Sequence, residues 1–254
     1  MPNGPKPIRK APSNLPSRPG PLALVGGDEL NPGNEPQDDV LVAAASGGPA
    51  FVLATAAGRQ RPDLAVRNAR AWFKQLGLDV DELPAIRRSD VTSPKNAEQA
   101  RTGRFFYLVG GDPGLVPKTL ADTPVWYAVV QAWREGAALA GSSAGAMALG
   151  EWTLIRDRVP GDARRRYRPA LSLVPRVAVI PHFDGFGERW VAGALAGAPR
   201  KDVVLVAVDE RSAALWREGV WLAFGPGGVT VITRSDRRRF AAGEQIEGIP
   251  QPAA

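Results

Sequence analysis

The sequence predicts an α/β fold, a three-layer sandwich with a mostly parallel central sheet. Three observations predict it: short apolar, β-rich runs alternate with helical patterns, the runs stop at glycine or small polar residues, and single helices separate them. Residues 22–25 (LALV) stop at Gly26-Gly27, and residues 51–54 (FVLA) stop at Thr55, with room for a helix between. Over 62–76, behind Pro62, the apolar positions Val66, Ala69, Trp72, Phe73 and Leu76 recur at helical spacing. Residues 78–83 read as a third strand. Pro94 opens a helix through Ala100, and 104–109 read as a fourth strand ending in Gly110-Gly111. A helix over 125–134 leads to a fifth strand at 137–140, and further strands are expected at 177–180 and, opening a hairpin, at 213–216. Strands joined through single helices pair in parallel by right-handed crossovers.

Composition limits the function. A chain of 254 residues that is 44% hydrophobic can build a sizeable core, and with Cys 0 it has no disulfide, thiolate metal site or cysteine nucleophile. No apolar run approaches the roughly 18 residues of a membrane span, so the expected location is cytoplasmic. The net charge of +6 is concentrated in a leader with Lys6, Arg9, Lys10 and Arg18 and no acid before Asp28. Its many prolines bar helix and sheet alike, so residues 1–20 are expected to be disordered, 21–240 to form a single domain, and 241–254 a tail. The arginine clusters 164–166 and 237–239 read as solvated surface, and nucleic acid is not expected as a partner.

The chemistry centres on residues 141–150, GSSAGAMALG, which follow the fifth strand. G-x-S-x-G between strand and helix is a nucleophile elbow: Gly141 and Gly145 make room for a sharp turn that projects Ser143, and the amide of Ala144 is set to hold an oxyanion. The composition holds one histidine, so a serine mechanism has one possible imidazole base, His182, just past the 177–180 strand on the same sheet edge. Acid partners for it are open among Glu151, Asp157, Asp162, Asp184 and Asp209. LVGGDPG at the fourth strand end, where Gly110 and Gly111 let backbone approach a substrate closely, offers a second oxyanion amide or else only a tight turn.

The order GGD, GSSAGA, PHF resembles the dipeptidase E and cyanophycinase group of serine peptidases, which share the class I glutamine amidotransferase-like, flavodoxin-like fold. The likeness runs from about residue 20 to 234 and takes in the early LVGG and the late VDERSAALW. It implies Ser143 as nucleophile, His182 as base, Gly111 in the oxyanion loop and, from the spacing in the dipeptidase branch, Asp157 as the acid. It implies no metal or organic cofactor. Pro113 and DGFGERW stand where cyanophycinases carry Gln and several arginines. Small peptides or peptide-like amides are then the substrate class, with Asp112, Arg189 and Glu210 as substrate-binding candidates, Glu210 meeting an amine or capping a turn. Arg87, Arg88, Arg164 and Arg165 join Arg189 as cations able to neutralise a substrate carboxylate. A homodimer is compatible with this reading. Its rivals are a catalytically silent binding protein on the same fold, a basic adaptor for an acidic polymer, and an α/β-hydrolase esterase.

Overall fold

The computed structural model of the protein describes residues 18–45, 47–156 and 165–253. The leader expected to be disordered therefore lies outside the described residues up to position 17. Gly20 is already fastened: its amide donates to the Trp133 carbonyl at 2.9 Å, and the Trp133 indole N–H donates to the Gly20 carbonyl at 2.8 Å.

The first half runs β1 (Leu22–Val25), α1 (Glu35–Ala44), β2 (Ala50–Leu53), α2 (Pro62–Gln75), β3 (Asp81–Glu82), α3 (Arg88–Val91), α4 (Pro94–Arg101), β4 (Phe105–Leu108), α5 (Leu115–Leu120), α6 (Pro124–Arg134) and β5 (Ala138–Ser142). Next come α7 (Ala144–Leu149), β6 (Gly150–Arg156), β7 (Arg165–Pro169), β8 (Val174–Ile180), α8 (Val191–Ala196) and β9 (Val204–Val208). The hairpin region closes the chain with β10 (Ala213–Arg217), β11 (Val220–Phe224), β12 (Gly228–Ile232), β13 (Arg237–Ala241) and β14 (Gln245–Ile246). Proline opens α2, α4 and α6, where its missing N–H would have had no partner. Ser93 and Thr123 cap α4 and α6 by accepting from the Asn96 and Trp126 amides.

The strands form two sheets. In the first, ordered β14-β11-β10-β1-β5-β4-β2-β3, the stretch from β1 to β3 is parallel and β10, β11 and β14 add antiparallel. In the second, ordered β13-β12-β9-β8-β6-β7, the pairs of β8 with β6 and β9 are parallel and the margins antiparallel. The fold is α/β with the parallel core that the alternation predicts.

Alternate residues of the first sheet feed two cores, as strand geometry requires. Ala23, Val25, Val52, Phe105 and Tyr107 meet Leu41 of α1 and Val66, Ala69 and Phe73 of α2. On the opposite face Leu22, Leu24, Leu53, Phe106 and Leu139 meet Ala97, Val129, Trp133 and Met147, and this core continues into Val177, Val179 and Leu205 of the second sheet. Phe73 contacts Phe105 and Tyr107 edge-on at 4.9 and 5.2 Å between centroids. Two sequence boundaries move. The run 78–83 pairs with β2 only over Asp81–Glu82. The segment read as a tail belongs to the packed unit: Ile246 and Ile249 are buried, and the Trp221 indole donates to the Pro250 carbonyl at 3.0 Å.

One buried acid sits beneath this scaffold. Asp38 is fully buried on α1, and the Trp72 indole N–H donates to its Oδ2 at 2.8 Å. Burial pushes its pKa from 3.8 to about 7, against the smaller opposite pull of the Trp72 hydrogen bond. The native carboxyl thus holds its proton more tightly than the unfolded one. Its contribution to stability is complete below about pH 4 and is lost as pH rises through about 7. Asp38→Asn keeps an acceptor for Trp72 and should exceed the parent in stability by about 1–3 kcal/mol at pH 8, with little difference at pH 4. Urea unfolding at the two pH values checks this; a pH-independent difference contradicts it.

Candidate active site

The ends of parallel strands β1, β4, β5, β8 and β9 meet at one place, and each contributes a turn. At the end of β5, Ser143 has φ 48 and ψ −111, a conformation that a non-glycine residue adopts only when its surroundings hold it there. Those surroundings are tight. A Cβ on Gly141 would come within 2.5 Å of the Gly145 backbone, and one on Gly145 would strike the Leu108 carbonyl, so strand and helix pass too closely for any side chain. The Ser143 amide donates to the Val25 carbonyl at 3.0 Å, and α7 carries on through buried Ala146, Met147, Ala148 and Leu149.

His182 follows β8 with φ 51, its amide donating to the Gly26 carbonyl at 2.7 Å. Its Nε2 lies 3.0 Å from Ser143 Oγ, and its Nδ1 lies 2.7 Å from Glu210 Oε1. An ionised carboxylate can only accept, so the short Nδ1 contact puts the imidazole proton on Nδ1 and leaves Nε2 to accept from the serine hydroxyl. Phe186 stacks on the ring, 5.0 Å between centroids and 23° between planes, and a Cβ on Gly27 would come within 2.2 Å of His182 Cε1. The imidazole therefore has one place to be. Glu210 is set in turn by its own amide, which donates to Asp184 Oδ1 at 3.0 Å.

The structure distributes the carboxylates as follows. Asp157 and Asp162 lie outside the described residues. Glu151 accepts from the Arg176 amide at 2.6 Å and pairs with Arg200 at 3.2 Å. Asp209, 2% exposed, accepts from the Gly228 amide and from Arg239. Asp184 holds Glu210 rather than His182. Glu210, expected to meet a substrate amine or cap a turn, is the carboxylate on the imidazole. Asp112 accepts from the Gly114 amide at 2.8 Å and lies 3.5 Å from Arg59, which makes it part of its own turn. Gly111, with φ +144, packs on the Ala56 backbone. Arg189 donates to the Phe186 carbonyl at 3.1 Å and lines a cavity of about 510 Å³ with Arg156, Arg165, Phe186 and Trp190. Arg165 lies 3.7 Å over the Trp190 ring.

One residue that sequence reasoning passed over also sits here. Glu29, in the turn after β1, accepts from the Gly110 amide at 2.7 Å and from the Ser142 hydroxyl at 2.9 Å. One of two adjacent acids in the segment GGDELN, it carries no local sign of these partners.

Residues 23–224 match the model of peptidase family S51. The chain belongs to peptidase family S51. This S51 chain is similar to a solved structure of a peptidase from an acI-B1 Actinobacterium, with a TM-score of 0.79 and 27% identity over 91% of this chain and 98% of the other. It is 30% identical over 169 residues to a cyanophycinase of Nostoc sp. (strain PCC 7120), covering 63% of this chain and 55% of the relative. It is also 26% identical over 184 residues to a cyanophycinase of Synechococcus elongatus, covering 70% and 56%. The S51 chain thus spans about half the length of the curated relatives it matches. Family membership agrees with the dipeptidase E and cyanophycinase likeness drawn from the motifs. Among the described residues, no helix is long and apolar enough to cross a membrane.

Proposed function

We propose that the protein is a serine peptidase that hydrolyses small peptides through an acyl-enzyme, with Ser143 as nucleophile, His182 as general base and Glu210, in place of Asp157, as the acid that orients it. The observation that carries this reading is the continuous chain from Ser143 Oγ to His182 Nε2 at 3.0 Å and from His182 Nδ1 to Glu210 Oε1 at 2.7 Å.

Each group then has a defined task. As Oγ attacks the scissile carbonyl, Nε2 takes its proton, and the Glu210 carboxylate stabilises the imidazolium across the Nδ1 hydrogen bond. The imidazolium gives that proton to the leaving amine. Water then deacylates Ser143 by the same route. The Gly111 and Ala144 amides are the proposed oxyanion donors. Ala144 opens α7, where no earlier turn supplies an acceptor, and among the described residues no protein acceptor takes the Gly111 amide. The neighbouring Gly110 amide is already held by Glu29.

The substrate reading rests on the cavity next to Phe186. Arg156, Arg165 and Arg189 line it without a carboxylate among its described walls, which suits a peptide bearing an acidic group. The adaptor rival loses its second cluster: Arg237 pairs with Glu188, Arg238 with Glu247 and Arg239 with Asp209. Incubating the purified protein with a dipeptide library tests the proposal. Turnover is expected, fastest for peptides with an acidic side chain; no hydrolysis of any member contradicts it.

A further inference from the structure

The last residue of β1 and the turn that follows it touch every catalytic loop. The Val25 carbonyl accepts from the Ser143 amide at 3.0 Å, the Gly26 carbonyl from the His182 amide at 2.7 Å, and the Gly27 carbonyl from the Arg211 amide, next to Glu210, at 2.8 Å. Glu29 completes the set through its side chain. Its two oxygens accept from Gly110, which precedes the oxyanion residue Gly111, and from Ser142, which precedes the nucleophile. One carboxylate thus joins the loop that is to hold the oxyanion to the elbow that is to attack.

We propose that Glu29 is a positioning residue of the peptidase reaction, a two-pronged clamp that sets the Gly111 amide relative to Ser143 Oγ. The proposal rests on the serine peptidase reading above.

Several features give the clamp its rigidity. The Asn31 side chain donates to Asp28 Oδ1 at 2.9 Å and to the Glu29 carbonyl at 3.2 Å, Asn34 donates to the Asp28 carbonyl at 2.9 Å, and Arg211 pairs with Asp28 at 3.2 Å. Ser142 is fully buried, so its hydroxyl has no water to turn to. Glycine at position 110 leaves room for the carboxylate: a Cβ there would lie 2.8 Å from Glu29 Oε1 and 3.3 Å from Ser143 Cβ, so a larger residue would push the Glu29 carboxylate aside. The clamp also separates two adjacent amides by role, since Gly110 points its N–H at Glu29 and leaves the Gly111 N–H for substrate. Beyond the last pair of β4 with β5, Leu108 with Gly141, the carboxylate is the side-chain link between the oxyanion loop and the elbow, and a misplacement of about 1 Å between reacting groups can cost about 10²-fold in rate.

The contacts require two acceptor or donor positions at fixed reach and no charge as such. Glutamine meets that need: its carbonyl accepts from Gly110, and its amide donates to Ser142 Oγ, which can accept. Aspartate, one methylene shorter, cannot span both partners. Alanine offers neither.

The test compares Glu29→Ala, Glu29→Asp and Glu29→Gln by acylation rate with a fluorophosphonate, by kcat and KM on the best dipeptide, and by thermal melting. Glu29→Ala and Glu29→Asp should acylate about 10²-fold more slowly with KM changed less than about threefold, and Glu29→Gln should return to within about fivefold of the parent. If Glu29→Ala fails to fold, the contrast between the folded aspartate and glutamine variants decides. Acylation of the alanine or aspartate variant at the parent rate overturns the clamp. So does equal loss in the glutamine and alanine variants confined to KM and to substrates with a free amine, which would make Glu29 an amine anchor. A parent protein that does not acylate at all brings down the peptidase reading and the clamp together, whereas variants that match an active parent overturn the clamp alone.

Discussion

Ser143→Ala will lower kcat by about four to six orders of magnitude, equivalent to about 5–8 kcal/mol of transition-state stabilisation, and leave the fold intact. The magnitude follows from the roles in the triad: without the oxygen there is no acyl-enzyme, and the remaining groups offer only binding and oxyanion stabilisation to a direct attack by water. The fold survives because the substitution removes one oxygen from a turn whose shape is set by Gly141, Gly145 and the bond from the Ser143 amide to Val25. Steady-state turnover on the best dipeptide, with circular dichroism of both proteins, checks it. Residual turnover above one per cent in a contaminant-free preparation would contradict the nucleophile assignment.

Glu210→Gln should cost about 10³- to 10⁴-fold in kcat, and Asp157→Asn less than about threefold. Glutamine keeps the size of the side chain but removes the charge that stabilises the imidazolium, and it can present its amide N–H to Nδ1, which favours the tautomer with the proton on Nε2. That tautomer cannot take the proton of Ser143. The pair of variants separates the two carboxylates directly. Equal effects, or a larger loss from Asp157→Asn, would return the acid role to Asp157.

The elbow was legible because its chemistry is local. Gly141, Ser143 and Gly145 report a strand-to-helix approach too close for side chains, and a chain with a single histidine leaves no choice of imidazole. The carboxylate that meets the imidazole was not, because that contact depends on how the turn after β9 reaches His182 across the sheet edge. Asp209 and Glu210 are neighbours with the same chemistry, yet successive residues at a strand end face opposite ways. Asp209 turns inward to the Gly228 amide and Arg239, while Glu210 turns to the imidazole. Spacing after the serine carries no information about that direction. Glu29 was missed for the same reason, its partners being 81 and 113 residues away in the chain. The parallel core from β1 to β5 followed from periodicity. Of strands β6 to β9 in the second sheet only the one at 177–180 did, since beyond α7 they mix antiparallel and parallel pairings.

The central claim is that Ser143 forms a covalent intermediate under the control of His182. The most direct measurement is reaction of the full chain with a fluorophosphonate, followed by peptide mass spectrometry to locate the adduct. The account predicts one adduct per chain on Ser143, and slowing of its formation by at least about 10³-fold in His182→Ala. An adduct on Ser142 or on another residue, or labelling of His182→Ala at the parent rate, would contradict it.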